Sequence, residues 1–259
     1  MNEHLERIIT KLEKLKTLDL DYRLFGSNIH QYHLNPILTG QTIQQFESLY
    51  NVTLPKEYVD FLMHVGNGGA GPFLGVEPFE KILYVDLDRP SSASLLNPDL
   101  PFLHTQPWNE VFNATCDEED EQEFERQYFK FHQHQMDGVI AICNYGCGIS
   151  LNLVVNGQEY GYIWTDDRAD DGGIYPSREL GNSDKLTFLD WYELWLDSSL
   201  AEMKEKQIGL IEQNQSLVTS ESLQHQHQHQ HQHQHQHHII SNDVISNIEK
   251  NKKPWWKFW

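Results

Sequence analysis

The chain has 259 residues, 39% of them hydrophobic and 12% aromatic, and its 38 acidic and 19 basic residues leave a net charge of −19. That length allows one domain with an appended segment; that charge repels phosphate backbones, which sets general nucleic-acid binding aside and suits equally a basic partner or a simply soluble acidic protein. Cys116, Cys143 and Cys147 form an odd set without framework spacing, residues 1–9 lack the apolar core of a signal peptide, and no run approaches the roughly 18 apolar residues of a membrane span, so the expectation is a cytoplasmic protein.

Leu5, Ile8, Leu12 and Leu15 make a helical stripe at the start. A loop rich in Gly, Asn and Pro follows from Gly26 to Gly40. Thr42 to Tyr50 reads as the next helix, with Thr42 as its cap and Ile43, Phe46 and Leu49 on one face. Pro55 suits a first helical position, and Tyr58, Phe61 and Leu62 then share a face until Gly66-Asn67-Gly68-Gly69 ends the helix.

Ile82 to Leu87 alternates as a strand does, and Pro90 to Asn113, with four prolines, reads as loop. Cys116 to Phe131 carries seven acids between Asp117 and Glu125; Phe124, Tyr128 and Phe131 give it helical spacing, with the acids at the positive end of the dipole. Val139 to Cys143 is a short apolar strand and Asn144 to Gly148 a tight turn. Ile149 to Val155 alternates, Asn156-Gly157 signals a hairpin, and Tyr160 to Trp164 is the return strand. Thr165 to Gly173 reads as an acidic loop. Phe188, Trp191, Tyr192, Trp195, Leu196 and Leu200 make an apolar closing helix that continues to about Ile208. Helices first, an antiparallel meander second and a helix to close is an α+β pattern.

Four of these segments, in order, carry a resemblance. Leu54, Pro55, Tyr58, Phe61, Leu62, Asn67, Gly68 and Gly69; then Val139 to Ile142 followed by Gly146-Cys147-Gly148; then Tyr160 to Trp164; then Phe188, Trp191, Trp195 and Leu196 are together similar to the SUKH superfamily, which includes the Smi/Knr-type cell-wall regulators. One departure is Ile149, where many relatives have an acid after the second glycine. The resemblance covers about Gln41 to Leu200. It implies a twisted antiparallel sheet with helices packed against it, no catalysis and no cofactor, and for bacterial members an immunity role against polymorphic toxins, often nucleases or deaminases. The domain organisation expected is an N-terminal helix and loop over 1–40, a SUKH-like domain over 41–210, and a disordered tail over 211–259.

No catalytic motif stands out, and Gly66 to Gly71 follows a helix rather than opening one, so it cannot cradle phosphate. Cys143 and Cys147 with Cys116, His132, His134 and Asp137 are weighed as a zinc set against a core or turn role for the cysteines; the latter is preferred and no metal site is assigned. The tentative partner-binding residues are Asp166, Asp167, Arg168, Asp170 and Asp171, an acidic loop, flanked by Tyr162, Trp164 and Tyr175, which are either contact anchors or core. The acids of 117–125 are either a solvated face or a mimic of an anionic substrate.

In the tail, Gln224 to His238 alternates Gln and His and holds eight histidines, a composition that builds no core and chelates metals loosely. The end, Lys250 to Trp259, sets lysines beside Trp and Phe, which suits an anionic membrane interface or a docking peptide. Three functions follow: an immunity protein that binds and blocks a basic toxin, an intracellular scaffold of the cell-wall regulator kind, or a metal handler through the His tract.

Overall fold

The computed structural model describes residues 2–211 except 93, 118 and 119. The chain divides into two units, Met1–Met203 and Lys204–Trp259, and in the second only 204–211, a helical stretch, is described. The His/Gln tract and the basic aromatic end, with the readings made on them, lie outside the described residues. Among the described residues, no helix is long and apolar enough to cross a membrane.

Helix α1 (Glu3–Leu18) starts at Asn2, whose side chain accepts the His4 N–H. Its stripe of Leu5, Ile8, Leu12 and Leu15 is buried in the same core as the later elements. A four-residue helix, α2 (Ser27–His30), stands inside the segment expected to be loop. Helix α3 (Gly40–Tyr50) begins earlier than the sequence suggests because Thr39, not Thr42, is the cap: its hydroxyl accepts the Thr42 N–H. Ile43 is buried, but Leu49 is exposed. Two successive three-residue steps leave Leu49 about 120° round the helix from Ile43, which the shared-face reading overlooked.

Pro55 precedes α4 (Lys56–His64) as its capping residue, and Tyr58, Phe61 and Leu62 are fully buried. The strand expected over Ile82 to Leu87 is absent. Pairing is confined to an isolated bridge of Tyr84 with Leu95, and beyond it Asp86 accepts the N–H groups of Asp88 and Arg89, which bends the backbone into a local turn before a ladder can form. The Ile82 carbonyl still accepts from Ala141 N–H at the sheet edge. Helix α5 (Glu121–His132) follows, capped by the Asp120 carboxylate on Glu123 N–H.

The sheet is antiparallel in the order β1 (Val139–Gly146), β2 (Ile149–Val154), β3 (Ile163–Asp167) and β4 (Gly173–Pro176). Cys147 and Gly148 form a two-residue turn between β1 and β2 with φ of 56° and 80°, the left-handed pair of a type I′ hairpin. β3 starts at Ile163 rather than Tyr160, because Tyr160 and Gly161 still belong to the turn after Gly157. The expected acidic loop is split among the end of β3, a 3-10 turn (Arg168–Asp170) and β4.

Both faces of the sheet are covered. On one face, Ile140, Ile142, Leu151, Leu153 and Ile163 meet α1, α4 and the closing helix α6, which occupies 188–203 in this unit. A bulge between Ala141 and Cys143 turns Cys143 to this side as well. On the other face, Val139, Ala141, Val154, Trp164 and Ile174 form a smaller cluster with Leu96, Phe102 and Met136 from the 90–136 segment. The whole is an α+β fold built on an antiparallel sheet.

Candidate functional site

The acidic segment is more committed than its composition suggests. Asp166 and Arg168 form a two-pronged ion pair, Nε to Oδ1 at 2.7 Å and Nη2 to Oδ2 at 2.6 Å, with both side chains mostly buried. Burial alone would lower the Arg168 pKa; the bonds to Asp166 outweigh it, and the guanidinium ends up held more firmly protonated than usual. Its Nη1 also donates to the His132 carbonyl at 3.1 Å, so the last turn of α5 is pinned to the acidic turn.

Asp167 accepts from the Tyr175 hydroxyl at 3.3 Å. Burial raises its pKa, the Tyr175 bond opposes this, and neighbouring carboxylates add to the rise. The Tyr175 ring lies 4.8 Å from the Arg178 guanidinium, and burial with nearby Glu179 and Asp167 pushes its hydroxyl pKa up. Trp164 is wholly buried in the smaller cluster, edge-on to Phe102 and with the Lys185 ammonium 5.4 Å from its ring, and so is a core residue. Tyr162 is half-buried against that cluster. Asp170 and Asp171 are exposed and, among the described residues, form no ion pair.

The surface continues onto elements that the sequence reading did not join to this loop. Trp108 pairs with Ile174 of β4 through two backbone bonds, and Asn109 donates to the Asp171 carbonyl at 2.9 Å. Phe112 then packs on Phe124, Tyr128 and Phe131 of α5. None of α5 is fully buried. Glu123, Gln127 and Phe131 are half-buried; Phe124 and Tyr128, partly covered by Phe112, border them, and Phe129, 68% exposed, points away on the side of Glu121 and Glu125. Arg126 is forked onto Glu123 at 2.6 and 2.7 Å and does not neutralise those two acids. Between Phe129 and His132 on one side and Leu95 on the other opens a cavity of about 330 Å3, with Leu96 and Met136 in its lining. Phe129 was the signal available in the sequence: it lies out of phase with the Phe124–Tyr128–Phe131 stripe, as an aromatic does when it faces away from a core.

The weighed zinc set does not assemble. Among the described residues, no group of three or more His, Cys, Asp or Glu side chains is placed to hold a metal ion. Cys143 is buried, which drives its thiol pKa well up, and Cys147 sits exposed in the hairpin turn. His134 and Asp137 pair with each other at 2.7 Å.

Most of the residues that carried the resemblance lie in the main core, and Val139, Ala141 and Trp164 lie in the smaller cluster. Leu54, Tyr58, Phe61, Leu62 and Trp191 are buried in one cluster. Gly68 and Gly69 take φ of 73° and 103°, and a Cβ on Gly68 would stand 2.6 Å from the carbonyl oxygens of Val76 and Glu77. Gly146 and Gly148, also at positive φ, shape the β1–β2 hairpin. Asn67 accepts from Phe79 N–H at 2.8 Å, locking the glycine loop to the next segment. The sequence matches the SMI1 / KNR4 family (SUKH-1) over residues 37–207, more than half of the chain. The chain belongs to this family. No curated protein and no solved structure matches it. In this SUKH-1 chain the family segment takes in the whole sheet, helices α3 to α5 and the first unit's part of α6, while α1 lies before it and packs into the same core.

Proposed function

We propose that this SUKH-1 protein is a toxin-neutralising immunity protein that binds a basic cognate toxin, a nuclease or deaminase, and blocks it. The supporting observation is the outer face of α5: three exposed aromatics, Phe124, Tyr128 and Phe129, set among Glu121, Glu125, Asp170 and Asp171, none of which is neutralised by an ion pair among the described residues. Exposed large apolar groups beside uncompensated charge suit recognition: aromatics anchor, and the acids speed encounter with a basic surface. Family membership supports the same reading, since the resemblance implies binding rather than catalysis.

The test is rescue. The product of the immediately upstream gene is expressed in a sensitive host with and without this protein; restored growth upholds the reading, and a harmless neighbour or undiminished toxicity defeats it.

A second reading, an intracellular scaffold of the cell-wall regulator kind, draws on another aromatic group, in which Phe25 packs on Phe73 and Phe73 on Tyr145, with Phe25 68% exposed. Several partners of moderate affinity, rather than one tight one, would favour it.

A further inference from the structure

The cavity beside α5 is built differently from the helix face above it. Leu96 and Met136, both nearly inaccessible, contribute apolar lining; Leu95 and Phe129 form exposed rims. Its wall also holds a carboxylate. Asp137, buried, accepts from Asn97 Nδ2 at 3.1 Å and pairs with His134 Nδ1 at 2.7 Å. His134 is half-exposed and sits at φ 69°, a left-handed conformation that few side chains adopt without local cause. Arg168 also lines the cavity, but its charge is spent on Asp166. The volume, about 330 Å3, is at the lower end for small-ligand pockets and admits one or two large side chains.

We infer that this cavity is the anchor site for the toxin: it receives one aromatic side chain from a toxin segment whose flanking residues are Lys or Arg. This rests on the immunity reading and adds the partner's local chemistry. Apolar lining accounts for the aromatic anchor. Asp137 in the wall is already engaged by His134 and Asn97, so the acids that account for the cations are Glu125 and Asp170, exposed on the elements that carry Phe129 and Arg168. A second copy of the chain is a poor occupant, because a two-fold contact would bring these same acids against themselves on a molecule already at −19. Nucleic acid and anionic membrane fail on the same sign.

Two arms test it. In the first, the isotope-labelled full chain is titrated with the peptides Lys-Lys-Trp-Lys-Lys and Glu-Glu-Trp-Glu-Glu. Amide shifts centred on Leu95, Phe129 and His134 with the lysine peptide, and at least tenfold weaker with the glutamate peptide, are expected; equal response to both, or shifts centred elsewhere, overturns the inference. In the second, Phe129→Asp and Leu95→Glu, at exposed positions and checked for unchanged melting temperature, are assayed for binding and rescue against the upstream gene product. A tenfold or greater loss of affinity is expected, with Leu49→Glu on α3 as an unaffected control. If the wild type rescues and both variants rescue equally well, the cavity is not the anchor although the immunity reading stands. If the lysine peptide binds the cavity but the wild type rescues nothing, the immunity reading fails and the cavity chemistry survives.

Discussion

The hydroxyl of Tyr192 donates to the backbone carbonyl of Ala70 across 2.8 Å of fully buried interior, joining the closing helix to the glycine loop after α4. Tyr192→Phe keeps the ring among Phe61, Phe188 and Trp195 but leaves that carbonyl without its donor. The expected cost is about 1–3 kcal/mol, the desolvation penalty of an unpaired buried acceptor. Urea unfolding would show it as a lower midpoint at unchanged slope; no shift would mean that water or a rearranged donor replaces the hydroxyl.

Among the aspartates of the acidic segment, Asp166 should separate from Asp170 and Asp171. Asp170→Lys with Asp171→Asn alters only exposed charge and keeps at 171 a residue type that tolerates its left-handed φ of 57°, so the melting temperature should hold while the on-rate of the proposed basic partner falls and loses part of its salt dependence. Asp166→Lys places two cations together and releases the end of α5 from Arg168, and should destabilise by about 2–3 kcal/mol, somewhat less than a fully buried pair because both side chains retain some solvent access. Thermal melts paired with association kinetics at two salt concentrations distinguish Asp166 from Asp170 and Asp171; equal behaviour of these three positions would refute the division.

Acid sensitivity should arrive in two stages. Burial lowers the pKa of His30 from 6.5 to about 4, so the folded state holds it neutral while the unfolded chain takes up a proton. Stability from this group is complete above pH 6.5 and lost as pH falls toward 4. Glu193 is lowered from 4.5 to about 2, chiefly by its bonds to Arg7 and Lys11 of α1. Its contribution, on the order of 1–3 kcal/mol, is complete above pH 4.5 and lost between there and 2. Denaturation at stepped pH should show Glu193→Gln flattening the lower stage alone; flattening of the upper stage instead would contradict the assignment.

The hairpin turn offers a gain. Cys147 bears a left-handed φ of 56° at the first position of the type I′ turn, where Asn before Gly is the favoured pair. Cys147→Asn should stabilise by about 0.5–1 kcal/mol. Gly68→Ala, by contrast, drives a methyl to within 2.6 Å of two carbonyls at positive φ and should cost upwards of about 1 kcal/mol. Melting temperatures moving in the same direction for both would contradict this account.

Periodicity made the core legible. The stripes of α1 and α4 and the aromatic run of the closing helix bury as spaced, whereas the alternation of β2 sends Leu151 and Leu153 to the larger core on a strand buried on both faces, with Ile149 only half-buried. Local side-chain competition was not legible in the same way: Asp86 dissolves an apparent strand, and Thr39 takes the cap from Thr42. The candidate site was half legible. Acids and aromatics were visible as composition, but Asp166 and Asp170, four residues apart in one run, differ entirely in commitment because only one faces Arg168. The cavity joins residues from 85 to 168, a pairing that no local pattern encodes.

The two clusters on either side of the sheet are unequal, and that inequality divides labour along the chain. Of the residues that carried the resemblance, Leu54, Tyr58, Phe61, Leu62, Ile140, Ile142, Phe188, Trp191 and Leu196 sit in the larger one and only Val139, Ala141, Tyr162 and Trp164 in or against the smaller, while the exposed aromatics and the cavity belong to the segment over the smaller one. Changes in that segment therefore disturb few of the contacts that determine the fold. Such an arrangement lets the outer surface be altered while the fold beneath it stays intact.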